Sequence, residues 1–132
     1  PNESEFEHLL RRHVGVEVSG DLADRSDAEL GALCAKIPVP TVVLTLGARG
    51  AFLCAESGDV CLRFPAADVR AIDTTGAGDS FTGALASGLV RFEGDITRAV
   101  RFAVLASGLS TERRGTAPAM PTIQELSSRF PW

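Results

Sequence analysis

The sequence predicts an α/β layer fold, and three features carry that expectation. Short helical patterns precede Thr41-Val42-Val43-Leu44-Thr45-Leu46, a β-branched run that is apolar on both faces and so reads as a strand buried inside a parallel sheet. Two long amphipathic patterns occupy much of the second half of the chain. A glycine-rich junction, Asp73-Thr74-Thr75-Gly76-Ala77-Gly78, leads into the first of them, in the strand-loop-helix order of layered α/β proteins.

Phe6, Leu9, Leu10 and His13 recur at helical spacing and predict a helix over residues 4–12 that Gly15 ends. Leu30, Leu33, Cys34 and Ile37 repeat the pattern, with Ser26 as N-cap and Pro38 as stop. After the apolar strand, Gly47 and Gly50 bracket a turn into a strand at 51–54, and Ser57-Gly58-Asp59 turns into another at 60–63, as in a hairpin. A further strand is expected at 69–72. Phe81, Ala84, Leu85, Gly88 and Phe92 then share one helical face. Ile96, Ala99, Val100, Ala103 and Ser107 share a second, with Gly94-Asp95 as the joint. Residues 115–121 form a loop rich in Gly, Pro and Ala, and Thr122 caps a last helix through Ile123, Leu126 and Phe130. There is no repeat, low-complexity tract or sign of a second domain.

A chain of 132 residues with 45% hydrophobic content can bury the core of one domain. Its net charge of -4 argues against a surface that holds nucleic acid. Arg11-Arg12 and Arg113-Arg114 are the only basic clusters, and pairs that short read as solvated helix ends. Three cysteines without CxxC spacing suggest neither a disulfide framework nor a zinc site. They fit reduced core filler in a cytoplasmic protein. No apolar run has membrane-spanning length and no charged-then-apolar leader opens the chain, so a soluble protein that is not secreted is expected. The chain begins at Pro1 and not at a Met, as an excised or processed piece would.

The glycine-rich junction is where chemistry is expected. A loop entering a helix aims unpaired N–H groups at one point, and the helix dipole adds to their pull on an anion. Gly76 and Gly78 let the backbone approach a phosphate with no Cβ in the way. Asp79 admits two readings: a carboxylate stabilised by the dipole, or a base that accepts a hydroxyl proton while the amides stabilise a transferring phosphoryl group. No Lys-Ser or Lys-Thr follows the second glycine, so this is not a Walker A loop; nor is it GxGxxG with a downstream acidic ribose anchor.

Residues 73–86, DTTGAGDSFTGALA, resemble the C-terminal signature of the ribokinase, or phosphofructokinase-B, family of carbohydrate kinases. Three more motifs agree with it in order. Pro1-Asn2-Glu3-Ser4-Glu5 is similar to the family's PNxxE segment, and Thr45-Leu46-Gly47-Ala48-Arg49-Gly50 to its TLGxxG turn. Arg101-Phe102-Ala103 with Arg113-Arg114-Gly115-Thr116-Ala117-Pro118-Ala119-Met120-Pro121 resembles the last helix and loop around the nucleotide. The resemblance implies a ribokinase-like three-layer αβα sandwich, Rossmann-like, and an ATP-dependent sugar kinase. It implies Asp79 as base on the sugar's primary hydroxyl and Gly76, Ala77 and Gly78 as the anion hole, with Gly78 also against the nucleotide. Asn2 and Glu5 would act through water and Mg2+ at the phosphates. Thr45, Gly47 and Gly50 would line the nucleotide's phosphate and ribose side, and the region of Val104 would meet adenine. A monovalent cation, usually K+, would sit by Asp73 and Thr75 with carbonyl oxygens of Ser110, Arg113 and Gly115, a hard-cation donor set. Ala119 stands where ribokinases often carry a Ser near that cage.

Apart from the resemblance, Asn2 reads equally as a helix cap and Asp73 as a turn residue. His8 and His13 match no family position. Family members are normally more than twice this long, so residues 1–132 correspond to the C-terminal, ATP-binding and catalytic part, without the sugar-binding and lid part. The expected partners are therefore ATP, a sugar, and the N-terminal half or a second copy of the chain, with a homodimer when complete; neither nucleic acid nor membrane is expected. The ending RRGTAPAMP points to ribose ahead of fructose, 2-keto-3-deoxygluconate or a nucleoside. The alternative is a truncated, non-catalytic nucleotide- or anion-binding module.

Overall fold

The computed structural model describes residues 1–130, which fall into two compact units, Pro1–Phe64 and the chain from Pro65 onward. Nothing in the residue pattern marks this division. Each unit has its own apolar cluster, one around a small sheet and one around a pair of helices.

In the first unit, α1 (Glu3–Leu9) starts at a reciprocal cap. Asn2 Oδ1 accepts from the Glu5 amide at 2.9 Å and Glu5 Oε2 accepts from the Asn2 amide at 2.8 Å. A wider π-type turn over Leu10–Val14 prolongs it to Gly15, whose φ of 70° is the left-handed stop expected of that glycine. Ser26 and Glu29 make the same reciprocal cap for α2 (Asp27–Cys34). Three strands follow, β1 (Val42–Thr45), β2 (Ala51–Ala55) and β3 (Val60–Phe64), in the order β1-β2-β3.

Both strand pairs are antiparallel, which corrects the expectation of a parallel sheet around the first strand. The five residues from Leu46 to Gly50 are too few for the crossover that parallel neighbours need, so the chain folds straight back. Among the described residues, parallel pairing is confined to a bridge between Asn2 and Thr45, where the Thr45 amide donates to Pro1 O at 2.9 Å. Val42 and Leu44 are buried while Val43 and Thr45 are half-buried, so the run is covered more fully on one face. Phe6, Leu10, Leu22, Leu30, Leu44 and Phe52 have no exposed surface and form the centre of this core.

The second unit is built on α3 (Ala77–Arg91) and α4 (Ile96–Ser110), joined by Phe92 to Asp95 as the glycine joint predicts. Asp95 caps α4 by accepting from the Arg98 amide at 3.0 Å. The helices meet closely at Gly88, where a Cβ would lie 3.0 Å from Ala99 Cα. Phe92 and Phe102 close that end edge to face, with centroids 5.9 Å apart. A short helix, α5 (Ile123–Arg129), is capped by Thr122 and buries Leu126.

The strand expected at 69–72 does not form. Ile72 and Asp73 instead both donate their amides to Thr111 O, at 2.7 and 3.0 Å, and Ile72 is 61% exposed. The apolar residues that suggested a strand have no neighbouring strand in this unit, and a carbonyl just past α4 takes the amides a ladder would have used.

Gly83 and Gly88 should respond oppositely to substitution. A Cβ at Gly83 meets nothing within 4 Å, so Gly83→Ala should stabilise the chain by about 0.5–1 kcal/mol through helix propensity. Gly88→Val forces a side chain into the Ala99 backbone and should cost about 1–3 kcal/mol. Thermal melts of both variants check the pair; equal effects would mean α3 and α4 do not meet at Gly88.

Candidate functional site

The start of α3 combines a positive-φ glycine, unused amides and a carboxylate. Gly76 has φ 76°, and a Cβ there would come within 2.9 Å of Thr116 Cγ2, so geometry and space both require glycine. Ala77 N donates to Thr74 O at 3.1 Å and Ser80 N to Gly76 O at 2.9 Å. Between them, the amides of Gly78 and Asp79 have no acceptor among the described residues. Gly78 is exposed and a Cβ there would meet nothing within 4 Å, so these donors face open space. Asp79, also exposed, lies in the same first turn. The arrangement is an anion cradle with a carboxylate beside it.

Asp73 holds the loop in place. Its Oδ1 accepts from the Thr75 amide at 2.9 Å and its Oδ2 from the Gly115 amide at 3.0 Å, so one carboxylate joins the glycine-rich loop to the turn after α4. Those bonds, the Gly115 amide foremost and then Thr75, with Arg114 adding a smaller attraction, pull its carboxyl down to about 2. The turn is tied at its other residues as well. Glu112 Oε1 accepts from the Arg70 amide at 3.0 Å, and Arg113 forms an ion pair with Glu125 of α5. Glu125, held to about 2 by Arg113 first and by the Thr122 cap, is the residue that sequence reasoning missed at this site. The spacing Thr122-x-x-Glu125 advertised only a cap; its link to Arg113 is a tertiary contact with no local signal.

The structure thus brings Asp73, Thr75, Gly76, Ala77, Gly78, Asp79 and Gly115 together by direct bonds or sequence adjacency. Arg113, two residues before Gly115, donates its amide to Ser110 O at 3.3 Å. Asp73 retains lone pairs beyond its two amide bonds. Ala119 is buried and contributes no side-chain oxygen. Val104 lies on α4 and is only 7% exposed, so its side chain offers little contact surface.

The candidates of the first unit form their own group. Asn2 and Glu5 are exposed and share the reciprocal cap, which leaves Glu5 Oε1 outside it. Thr45 meets this segment through the Asn2 bridge, and its Oγ1 lies 3.4 Å from Pro1 O. Beyond β1, Gly47 with φ 51° and Gly50 with φ 90° shape the tight turn, Gly50 in a conformation closed to other residues. His8 and His13 are exposed, and His8 Nδ1 lies 3.5 Å from Arg11 Nη2.

Glycine-rich helix starts occur in many α/β folds, and comparison with known proteins assigns the class. The chain belongs to the pfkB family of carbohydrate kinases, whose family model matches residues 1–123. It is 34% identical over 125 residues to the ribokinase of Haemophilus influenzae, covering 95% of this chain and 38% of that protein. It is also 34% identical over 127 residues to the deoxyribokinase of Salmonella typhi, with 96% and 38% covered. The structure of Arabidopsis thaliana ribokinase complexed with ribose and ATP matches at a TM-score of 0.76 and 29% identity, over 97% of this chain and 38% of that one. The fold is therefore ribokinase-like, and the chain spans about two fifths of the length of these relatives.

Asp73 is ionised over all ordinary pH. Because its folded value lies below the usual aspartate value of 3.8, the stability it gives is present above about pH 4 and is lost as pH falls towards about 2. The amide resonances of Thr75 and Gly115 should shift together with a midpoint near 2, and Asp73→Asn should remove that titration and lower hydrogen-exchange protection at Gly115. A midpoint at the ordinary aspartate value would show that the two bonds do not persist in solution.

Proposed function

We propose that this chain carries the nucleotide-side and catalytic part of an ATP-dependent sugar kinase, which transfers the γ-phosphoryl group to a primary hydroxyl, that of ribose first. The observation that carries the reading is the α3 start, where the free amides of Gly78 and Asp79 adjoin the Asp79 carboxylate within the family's signature. Phosphoryl transfer needs little covalent help from a protein; it needs positioning and stabilisation of charge on the equatorial oxygens. Gly76, Ala77 and Gly78 supply the anion hole and Asp79 accepts the hydroxyl proton.

Mg2+ offsets phosphate charge in such reactions, and the free Glu5 oxygen with Asn2 suits the outer, water-mediated contacts this ion prefers. Thr45, Gly47 and Gly50 bound the nucleotide on its phosphate and ribose side, with adenine near Val104. Asp73, Thr75, Ser110, Arg113 and Gly115 hold a monovalent cation, K+ in the first instance. Its positive charge beside the anion hole would help to hold the phosphates. The sugar is bound by chain outside residues 1–132, and the protein works in the cytoplasm. Equal 34% identity to a ribokinase and a deoxyribokinase favours 2-deoxyribose as the second candidate substrate.

Two measurements test the reading. In the complete enzyme, Asp79→Asn should lower kcat by about two to four orders of magnitude, the usual contribution of a general base, with ATP affinity little changed. Normal turnover would remove Asp79 from the mechanism. The isolated chain, assayed with ATP, Mg2+, K+ and either ribose or 2-deoxyribose, should give no product; ordinary kinase rates from it would contradict an external sugar site.

A further inference from the structure

The sequence scatters its cysteines at positions 34, 54 and 61, but the fold of the first unit gathers them. Cys54 on β2 stands directly opposite Cys61 on β3 in the antiparallel register. Opposed residues in such a ladder share a face and have Cα atoms roughly 4.5–5.5 Å apart. That interval falls inside the range of about 4.4–6.8 Å that a disulfide spans. The Cys54 thiol lies 4.0 Å from Gly31 O and the Cys61 thiol donates to Gly58 O at 3.5 Å, while Cys34 of α2 packs in the same apolar cluster. Gly31 makes room for the cluster, since a Cβ there would lie 2.6 Å from Cys61 Sγ. All three are free thiols.

We propose that Cys54 and Cys61 are a peroxide-oxidisable dithiol, with Cys61 the thiol that meets the oxidant and Cys54 the one that resolves it. Exposure separates the roles. Cys61 is half-buried and can be reached by a molecule as small as hydrogen peroxide, whereas Cys54 is 2% and Cys34 1% exposed. Burial also pushes the Cys34 thiol up to about 12 and raises that of Cys54, so both stay protonated and poor first nucleophiles. The Cys61 thiolate attacks one peroxide oxygen, the O–O bond breaks, and the other oxygen leaves as water once protonated, giving a sulfenic acid. Cys54 sulfur then attacks Cys61 sulfur; the S–S bond forms, the S–O bond breaks, and the hydroxyl leaves as water with the Cys54 proton. Two thiols and one peroxide yield one disulfide and two waters. The register requires no strand movement to form it, and Cys34 takes no part.

The test is peptide mapping of the intact protein after hydrogen peroxide, with alkylation of remaining thiols under denaturing conditions. No Lys or Arg lies between Cys54 and Cys61, so trypsin leaves both in one peptide ending at Arg63 and places Cys34 in another ending at Lys36. The expected result is that the first peptide loses two hydrogens and takes no alkyl group, while the Cys34 peptide is alkylated. Cys54→Ala should trap Cys61 as a sulfenic acid that dimedone labels, and Cys61→Ser should leave Cys54 and Cys34 reduced. Alkylation of all three thiols in the wild type, or a crosslink joining the two peptides, would overturn the proposal.

Discussion

Two hydrogen bonds to one carboxylate organise the second unit. Asp73 accepts from Thr75 on the glycine-rich loop and from Gly115 on the turn beyond α4, segments forty residues apart in the chain. That bridge fixes the glycine-rich loop against the turn, with Ser107 Oγ of α4 donating to Ala77 O at 2.9 Å as a second tie, and an anion cradle depends on such a fixed direction. The neighbouring contacts act in the same sense. Thr111 O holds the amides of Ile72 and Asp73, and Glu125 holds Arg113, so the turn is anchored just ahead of the Gly115 contact. Individually exposed pairs of this kind contribute little. Their importance lies in converging on a single loop.

This dependence also explains why the glycines stand where they do. Gly76 is compelled by its positive φ and by Thr116, a residue of the same anchored turn, so the cradle and its support are fitted to each other. Gly78 is not compelled in this way. It adopts helical backbone beside open space, and its lack of a side chain matters only to a ligand approaching the amides. One glycine is thus required by the fold and the next is not.

Much of this was legible in the sequence because it is local. The caps at Ser26 and Thr122, the stop at Gly15, the α3–α4 joint and the glycine-rich helix start are each written in a few consecutive residues, and all were found there. What was misread is tertiary. Val42 to Leu46 looked buried on both faces, yet a short return at Gly47 to Gly50 makes β1 antiparallel to β2. Val69 to Ile72 has strand composition but no strand beside it. Glu125 reads as a cap and gives no hint of Arg113, and the cysteines read as separate core residues until the β2–β3 register set two of them face to face. The candidate site divides the same way: its motifs are local and were visible, whereas the bonds that hold them in place were not.

The central claim is that the amides at the start of α3 receive the transferring phosphoryl group, and a backbone titration tests it most directly. With the complete enzyme, adding a non-hydrolysable ATP analogue with Mg2+ and ribose should produce the largest amide shifts at Gly76, Gly78 and Asp79, with smaller ones at Gly47 and Gly50. If the analogue binds but the Gly78 and Asp79 amides stay unmoved while the shifts gather elsewhere, the α3 start is only a capped helix and the account fails.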